Sequence, residues 1–261
     1  MDAESLKEFY KWFNRIIENL NINESDINEP IDRKIHHTFR VCENIRGICK
    51  SLKLSDNEFR IAETIALFHD IGRFEQYIEH KTFIDSVKDH GELGVLTLES
   101  CGILNQLSDK EKNIILKSIR YHNKYQIPNN EDETVLFFSK LIRDADKMDD
   151  YFIHVKYFEK KSHYHKPILK VYPDTGAYSP EVVQAVLSNK CPRDCFIKTY
   201  NDLKLTYVGW IFDINFNYAI EFIAKNNYIN RLLSSLPDTK EIQEVYRHVN
   251  EFINSKINIT A

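Results

Sequence analysis

The chain has 261 residues, of which 43% are hydrophobic and 28% charged, with a formal net charge of −4. Only 7 Gly and 7 Pro are present, well under half the usual share of about 12%. That scarcity excludes a many-stranded sandwich or barrel, and the charge excludes the basic footprint of a nucleic-acid or anionic-membrane binder.

The elements follow in chain order. Leu6, Phe9, Phe13, Ile16, Ile17 and Leu20 recur at helical spacing, predicting an amphipathic helix over 2–20. A polar connector is expected over 21–30, ending at Pro30, then a helix over 32–53. Ser55-x-x-Glu58 is a capping box that opens a helix to Ile71 or beyond. A short helix is expected over 90–101. Ser108-x-x-Glu111 opens another to Tyr121, and Asn130-x-x-Glu133 opens a long one to Phe158. Residues 159–200 concentrate Pro167, Pro173, Pro180 and Pro192, with a β-like patch at Ile168–Tyr172, and read as an insertion or lid. Helices resume over 201–236 and again from Thr239. The expectation is an all-α fold in a single domain, 1–261. It comprises a metal-binding core over 30–158, the excursion at 159–200, and C-terminal helices over 201–261 packed on the core.

The five cysteines are odd in number and mostly set in apolar patterns, as in a reducing compartment. No signal segment or 18-residue apolar run is visible, so the location expected is cytoplasmic. Asn258-Ile259-Thr260 is taken as a chance acceptor pattern.

A His-Asp dipeptide carries no weight alone; the placement of His69-Asp70 does. Both follow the apolar positions Ala62, Ile65 and Ala66 toward the buried side of their helix. His37 continues the stripe of Val41, Ile45 and Ile48. His122 continues Ile115 and Ile119. Asp146 continues Val135, Phe138 and Ile142, and His90 opens a helix with Gly94, Leu96 and Leu98 inward. Any one of these reads as ordinary packing. Together, without a cation, they would bury unpaired charge at several kcal/mol each.

The order His37, His69-Asp70, Asp146 resembles the HD superfamily of metal-dependent phosphohydrolases. His37-Thr38-Phe39-Arg40-Val41 is similar to the family's opening element. Ala66-Leu67-Phe68-His69-Asp70-Ile71-Gly72-Arg73 is similar to its central segment, and Arg143-Asp144-Ala145-Asp146-Lys147-Met148-Asp149 to its closing one. The resemblance spans about 30–158 and implies an HD-type helical bundle. It implies that His37, His69, Asp70 and Asp146 bind one divalent ion. In two-metal members a further histidine pair lies between the dipeptide and the last Asp, which here implies His90 and His122, with Asp70 bridging. Tyr121-His122-Asn123 departs from the paired histidines of HD-GYP proteins, and no Gly-Tyr-Pro follows, so cyclic-di-GMP hydrolysis is not implied.

Mixed imidazole and carboxylate ligands suit Mn, Fe, Co, Ni or Zn, with Mg also allowed. Such ions acidify water and clamp phosphoryl oxygens. The catalytic set expected is Asp70 with Arg73 and Lys147 as phosphate-binding cations. Asp150 and His154, one and two turns past Asp146, are candidate supports or proton donors. His163, His165, Cys191 and Cys195 have spacings too loose to define a zinc site, and His36 is expected to be exposed. The leading reading is hydrolysis of a small phosphoester such as a nucleotide, with no nucleic-acid polymer or membrane as partner and a homodimer left open. The alternatives are a di-iron oxygenase like the inositol oxygenases and a non-catalytic nucleotide sensor.

Overall fold

The computed structural model describes residues 1–20, 25–160 and 172–257, and is all-α with no strand among them. It divides into two compact units, and the boundary falls inside one helix, after Asp149.

The first unit holds α1 (Ala3–Leu20), α2 (Ser25–Ser51), α3 (Asp56–Phe68), α4 (Ile71–His80), α5 (His90–Cys101), α6 (Asp109–Tyr121) and the first part of α7 (Glu133–Lys160). α3 packs against α1, α2 and α6, and α5 against α4 and α6. Its core is built from Phe9, Phe13, Val41, Ile45, Ile65, Phe68, Leu98, Ile115, Phe138 and Ile142, all at most 1% exposed. The capping boxes at Ser55 and Ser108 form as expected, each hydroxyl accepting from the backbone amide three residues on.

Three boundaries and one added helix differ from the sequence expectation in this part of the chain. α2 begins at Ser25, so Pro30 lies inside it. Its fixed φ suits a helix, and the bond it cannot make would fall near the open N-terminus. α3 stops at Phe68 rather than Ile71, and a separate α4 follows. The break is local: Asp70 adopts φ −104°, ψ 12°, off the helical region. α7 is capped by Asp132 instead of Asn130, its carboxylate accepting from Thr134 N at 2.8 Å. Finally, the 159–200 excursion contains a helix, α8 (Pro180–Leu187). Pro at its first position has a preset φ and needs no donor there.

The second unit holds the rest of α7, α8, α9 (Tyr200–Gly209), α10 (Asn217–Lys225), α11 (Tyr228–Leu233) and α12 (Lys240–Ile257). The helical stretch expected over 201–236 is thus three short helices, with a 3-10 turn at Trp210–Asp213. α8 packs on α9 and α12, and α10 on α12. Asp202 stitches the start of α9 to α8: it accepts from Ser179 N (2.6 Å), Ser179 Oγ (2.8 Å), Lys198 N and Thr199 N (both 3.0 Å). Residues 168–171 of the β-like patch, together with His163, His165 and Asn258-Ile259-Thr260, lie outside the described residues.

Candidate metal centre

All six expected ligands belong to the first unit and converge. His37, His69, Asp70, His90 and His122 are buried, and Asp146 is half-buried with a side chain 20% exposed.

Two local devices place them. His69 and His122 are the C-cap residues of α3 and α6. Each puts Nδ1 on the carbonyl three residues back, Ala66 O at 2.8 Å and Ile119 O at 2.7 Å. The open carbonyls at a helix C-terminus need such donors, and the bond turns each Nε2 inward. His90 is the first residue of α5. It is brought in by contact of α4 with α5 through Gly72, where a Cβ would stand 2.2 Å from His90 O and 2.5 Å from Gly94 N. The close approach at Gly72 and Gly94 is helix against helix, whereas Leu96 of α5, expected inward, is 60% exposed. α7 is held in register by Asn44 Nδ2 donating to Ala145 O at 3.0 Å, and by Arg143 Nη1 donating to His122 O at 3.1 Å.

The donor atoms fall into two groups that share Asp70. In the first, His37 Nε2 lies 3.1 Å from Asp146 Oδ1, 3.3 Å from His69 Nε2 and 3.5 Å from Asp70 Oδ2. In the second, Asp70 Oδ1 lies 3.2 Å from His90 Nε2 and 3.8 Å from His122 Nε2, and the two Nε2 atoms are 2.9 Å apart. Donors sharing an ion at ~2.1 Å stand roughly 3.0–3.4 Å from one another, so the residues fit a divalent ion. The Nδ1 atoms of all four histidines are held by acceptors outside the cluster, leaving each Nε2 facing inward.

Electrostatics agree with a site built for cations. Burial opposes ionisation of Asp70, yet the Lys34 charge and the surrounding histidines hold it well below the usual carboxylate range. Asp146 is held low against the same opposition by His37 and His69. Burial and the Lys34 charge would depress His37, but hydrogen bonds with Asp146 and Asp149 raise it to about 10. Burial lowers His122 to about 4, and so keeps it neutral.

The sequence reading missed three partners. Asp149 accepts from His37 Nδ1 at 2.6 Å and from Arg40 Nε at 2.5 Å. Asp85 accepts from His90 Nδ1 at 2.6 Å. Lys34 Nζ donates to Asp70 Oδ2 at 2.7 Å. Lys34 lies three residues before His37 on α2, a helical spacing that could have flagged it. Nothing near Asp85 in the chain signals its role.

Of the other expected residues, Arg73 lies beside the cluster, with Nε 3.6 Å from Asp70 Oδ1. Its Nη1 is engaged by Phe83 O (2.6 Å), Gln76 Oε1 (2.8 Å) and Asp85 Oδ1 (2.9 Å). Lys147 is half-buried beside Asp146, and His36 is exposed as expected. Asp150 and His154 belong to the second unit, where His154 stacks on Tyr207 with ring centroids 3.9 Å apart.

The all-α fold thus brings together four imidazoles and two carboxylates in groups that could hold a metal ion. A family model described as HD domain matches residues 35–150, and this match supports membership of the HD superfamily. The family is generally one of metal-dependent hydrolases. No curated protein matches the chain, and no solved structure does. Among the described residues, no helix is long and apolar enough to cross a membrane.

Proposed function

We propose that the protein is a phosphohydrolase that uses two divalent ions and acts on a small phosphoester such as a nucleotide. The observation that carries this reading is the position of Asp70, whose two oxygens face two separate histidine pairs: Oδ2 toward His37 and His69, Oδ1 toward His90 and His122. His37, His69, Asp70 and Asp146 would hold one ion, and His90, His122 and Asp70 the other. Divalent ions bound there supply Lewis acidity toward phosphoryl oxygens and acidify water near neutral pH.

The chain's own residues support an anionic substrate. Lys34, with a side chain 21% exposed, is placed to turn from Asp70 to a phosphate oxygen. Lys147, beside Asp146, adds a second cation. Arg73 is 13% exposed, and its engagement with Asp85 and Phe83 assigns it first to holding the site. Asp149 fixes the His37 ring through Nδ1, and Arg40 fixes Asp149. The burial of the histidines excludes bulk water from the ligand atoms.

The di-iron oxygenase reading uses the same donor set, but Lys34 and Lys147 beside the carboxylates favour an anionic ester. The test is elemental analysis of the purified protein, followed by phosphatase and phosphodiesterase panels with Mn, Fe, Co, Ni, Zn and Mg. Phosphate release that disappears in Asp70→Ala is expected. Protein that holds ions yet releases no phosphate, whichever metal is supplied, would overturn the reading.

A further inference from the structure

The second histidine pair has a carboxylate of its own behind it. Asp85 lies in the segment between α4 and α5, with its side chain 35% exposed. Its Oδ1 accepts from His90 Nδ1 at 2.6 Å, from Arg73 Nη1 at 2.9 Å and from Gln76 Nε2 at 3.3 Å; its Oδ2 accepts from Asn123 Nδ2 at 3.4 Å. Two residues of α4 hold this segment in place. Arg73 donates to Phe83 O at 2.6 Å, and Gln76 Nε2 to Lys88 O at 2.5 Å. Asp89 then caps α5, accepting from Glu92 N at 3.0 Å. His90 is thus gripped from behind by a carboxylate that α4 itself positions.

The arrangement repeats that of the first pair. There, Asp149 backs His37 at 2.6 Å while a backbone carbonyl backs His69. In the second pair, Asp85 backs His90 at the same distance while a carbonyl backs His122. Each pair has one carboxylate-backed and one carbonyl-backed imidazole. A carboxylate on Nδ1 fixes the tautomer and makes Nε2 a stronger donor. Asp85 touches the ring edge opposite to Nε2, so it acts through His90 and does not share its ion.

We propose that Asp85, held by Arg73 and Gln76, is the positioning residue for the ion at His90, His122 and Asp70 Oδ1, and that it sets the occupancy of that ion separately from the first. The proposal rests on the two-ion reading above. Loss of a partner of this kind weakens metal affinity by about 10- to 100-fold.

The test uses the full chain, stripped with a chelator and titrated with Mn2+ by calorimetry, with elemental analysis after desalting. Wild type is expected to bind two ions. Asp85→Asn is expected to bind the second about 10- to 100-fold more weakly and the first as in wild type. Asp149→Asn is expected to weaken the first ion instead. This reciprocal pattern would not arise from a general loss of fold. Equal affinities in Asp85→Asn and wild type, parallel loss of both ions, or a single ion in wild type would each overturn the proposal. Should Asp85→Asn not fold, nitrogen-15 spectra of the Zn2+-loaded wild-type imidazoles decide: His90 protonated at Nδ1 supports the proposal, and His90 protonated at Nε2 overturns it. A protein that binds two ions but hydrolyses no phosphoester would sink the hydrolase reading and leave this one standing.

Discussion

His90 Nε2 and His122 Nε2 stand 2.9 Å apart, and neither ring has its Nδ1 free: one is tied to Asp85, the other to Ile119 O. Both Nε2 atoms also face Asp70 Oδ1, at 3.2 and 3.8 Å, so the three atoms lie close enough together to serve one ion.

If His37 is a ligand, metal uptake should depend on pH. Its folded pKa is raised to about 10, so the metal-free protein carries a proton there at neutral pH. An incoming ion must displace it. Uptake at pH 7 should therefore release about one proton from this residue, and apparent affinity should climb with pH until about 10. Calorimetry in two buffers of different ionisation enthalpy reads the release directly; identical heats in both would contradict the assignment. Because the folded pKa is raised, the stabilisation His37 gives the metal-free protein is complete below the unfolded value of 6.5 and is lost as pH rises through about 10.

His122 has the opposite sign. Its folded pKa is depressed from 6.5 to about 4. The unfolded chain takes up this proton first, so stability should fall as pH drops from 6.5 through 4. In chelator-stripped protein, His122→Gln should flatten that part of the curve of Tm against pH. An unchanged slope would count against His122 as the source.

Gly72→Ala should be among the more damaging single-methyl changes in the chain. The added carbon would meet the backbone of His90 and Gly94 at 2.2 and 2.5 Å, and backbone cannot swing aside. Separating α4 from α5 should cost about 1–3 kcal/mol and pull His90 from Asp70. Denaturant unfolding measures the first effect and Mn2+ stoichiometry the second. A variant with wild-type values of both would show that α5 is not positioned through this contact.

Tyr151→Phe should be neutral or mildly stabilising. Tyr151 is fully buried and its hydroxyl has no hydrogen-bond partner among the described residues, while the ring stacks parallel to Tyr228 at 6.3 Å. Removing an unsatisfied buried hydroxyl relieves a desolvation cost of about 1–3 kcal/mol. A Tm clearly below wild type would mean that the hydroxyl has a role.

Much of the centre was legible from periodicity. His37, His90, His122 and Asp146 prolong apolar stripes, and a helix that buries its stripe brings them inward whatever it packs against. The same reasoning placed His69 and Asp70 correctly but carried α3 too far, because a stripe does not record where backbone bonds stop. The helix α8 carried a legible start signal, Ser179 before Pro180, in a segment whose prolines read as irregular.

The sequence by itself determined the helical class, the caps at Ser55 and Ser108, and the six side chains that turn inward, since each depends on residues within a turn or two of one another. Only the tertiary structure decided what stands behind them. Asp149 meets His37 across 112 residues of chain, and Lys34 meets Asp70 across 36. Asp85 is just five residues from His90, yet it faces Nδ1 only because Arg73 and Gln76 of α4 hold its loop. Such bonds form when separate helices pack, and a pattern read along one helix contains no distance between two.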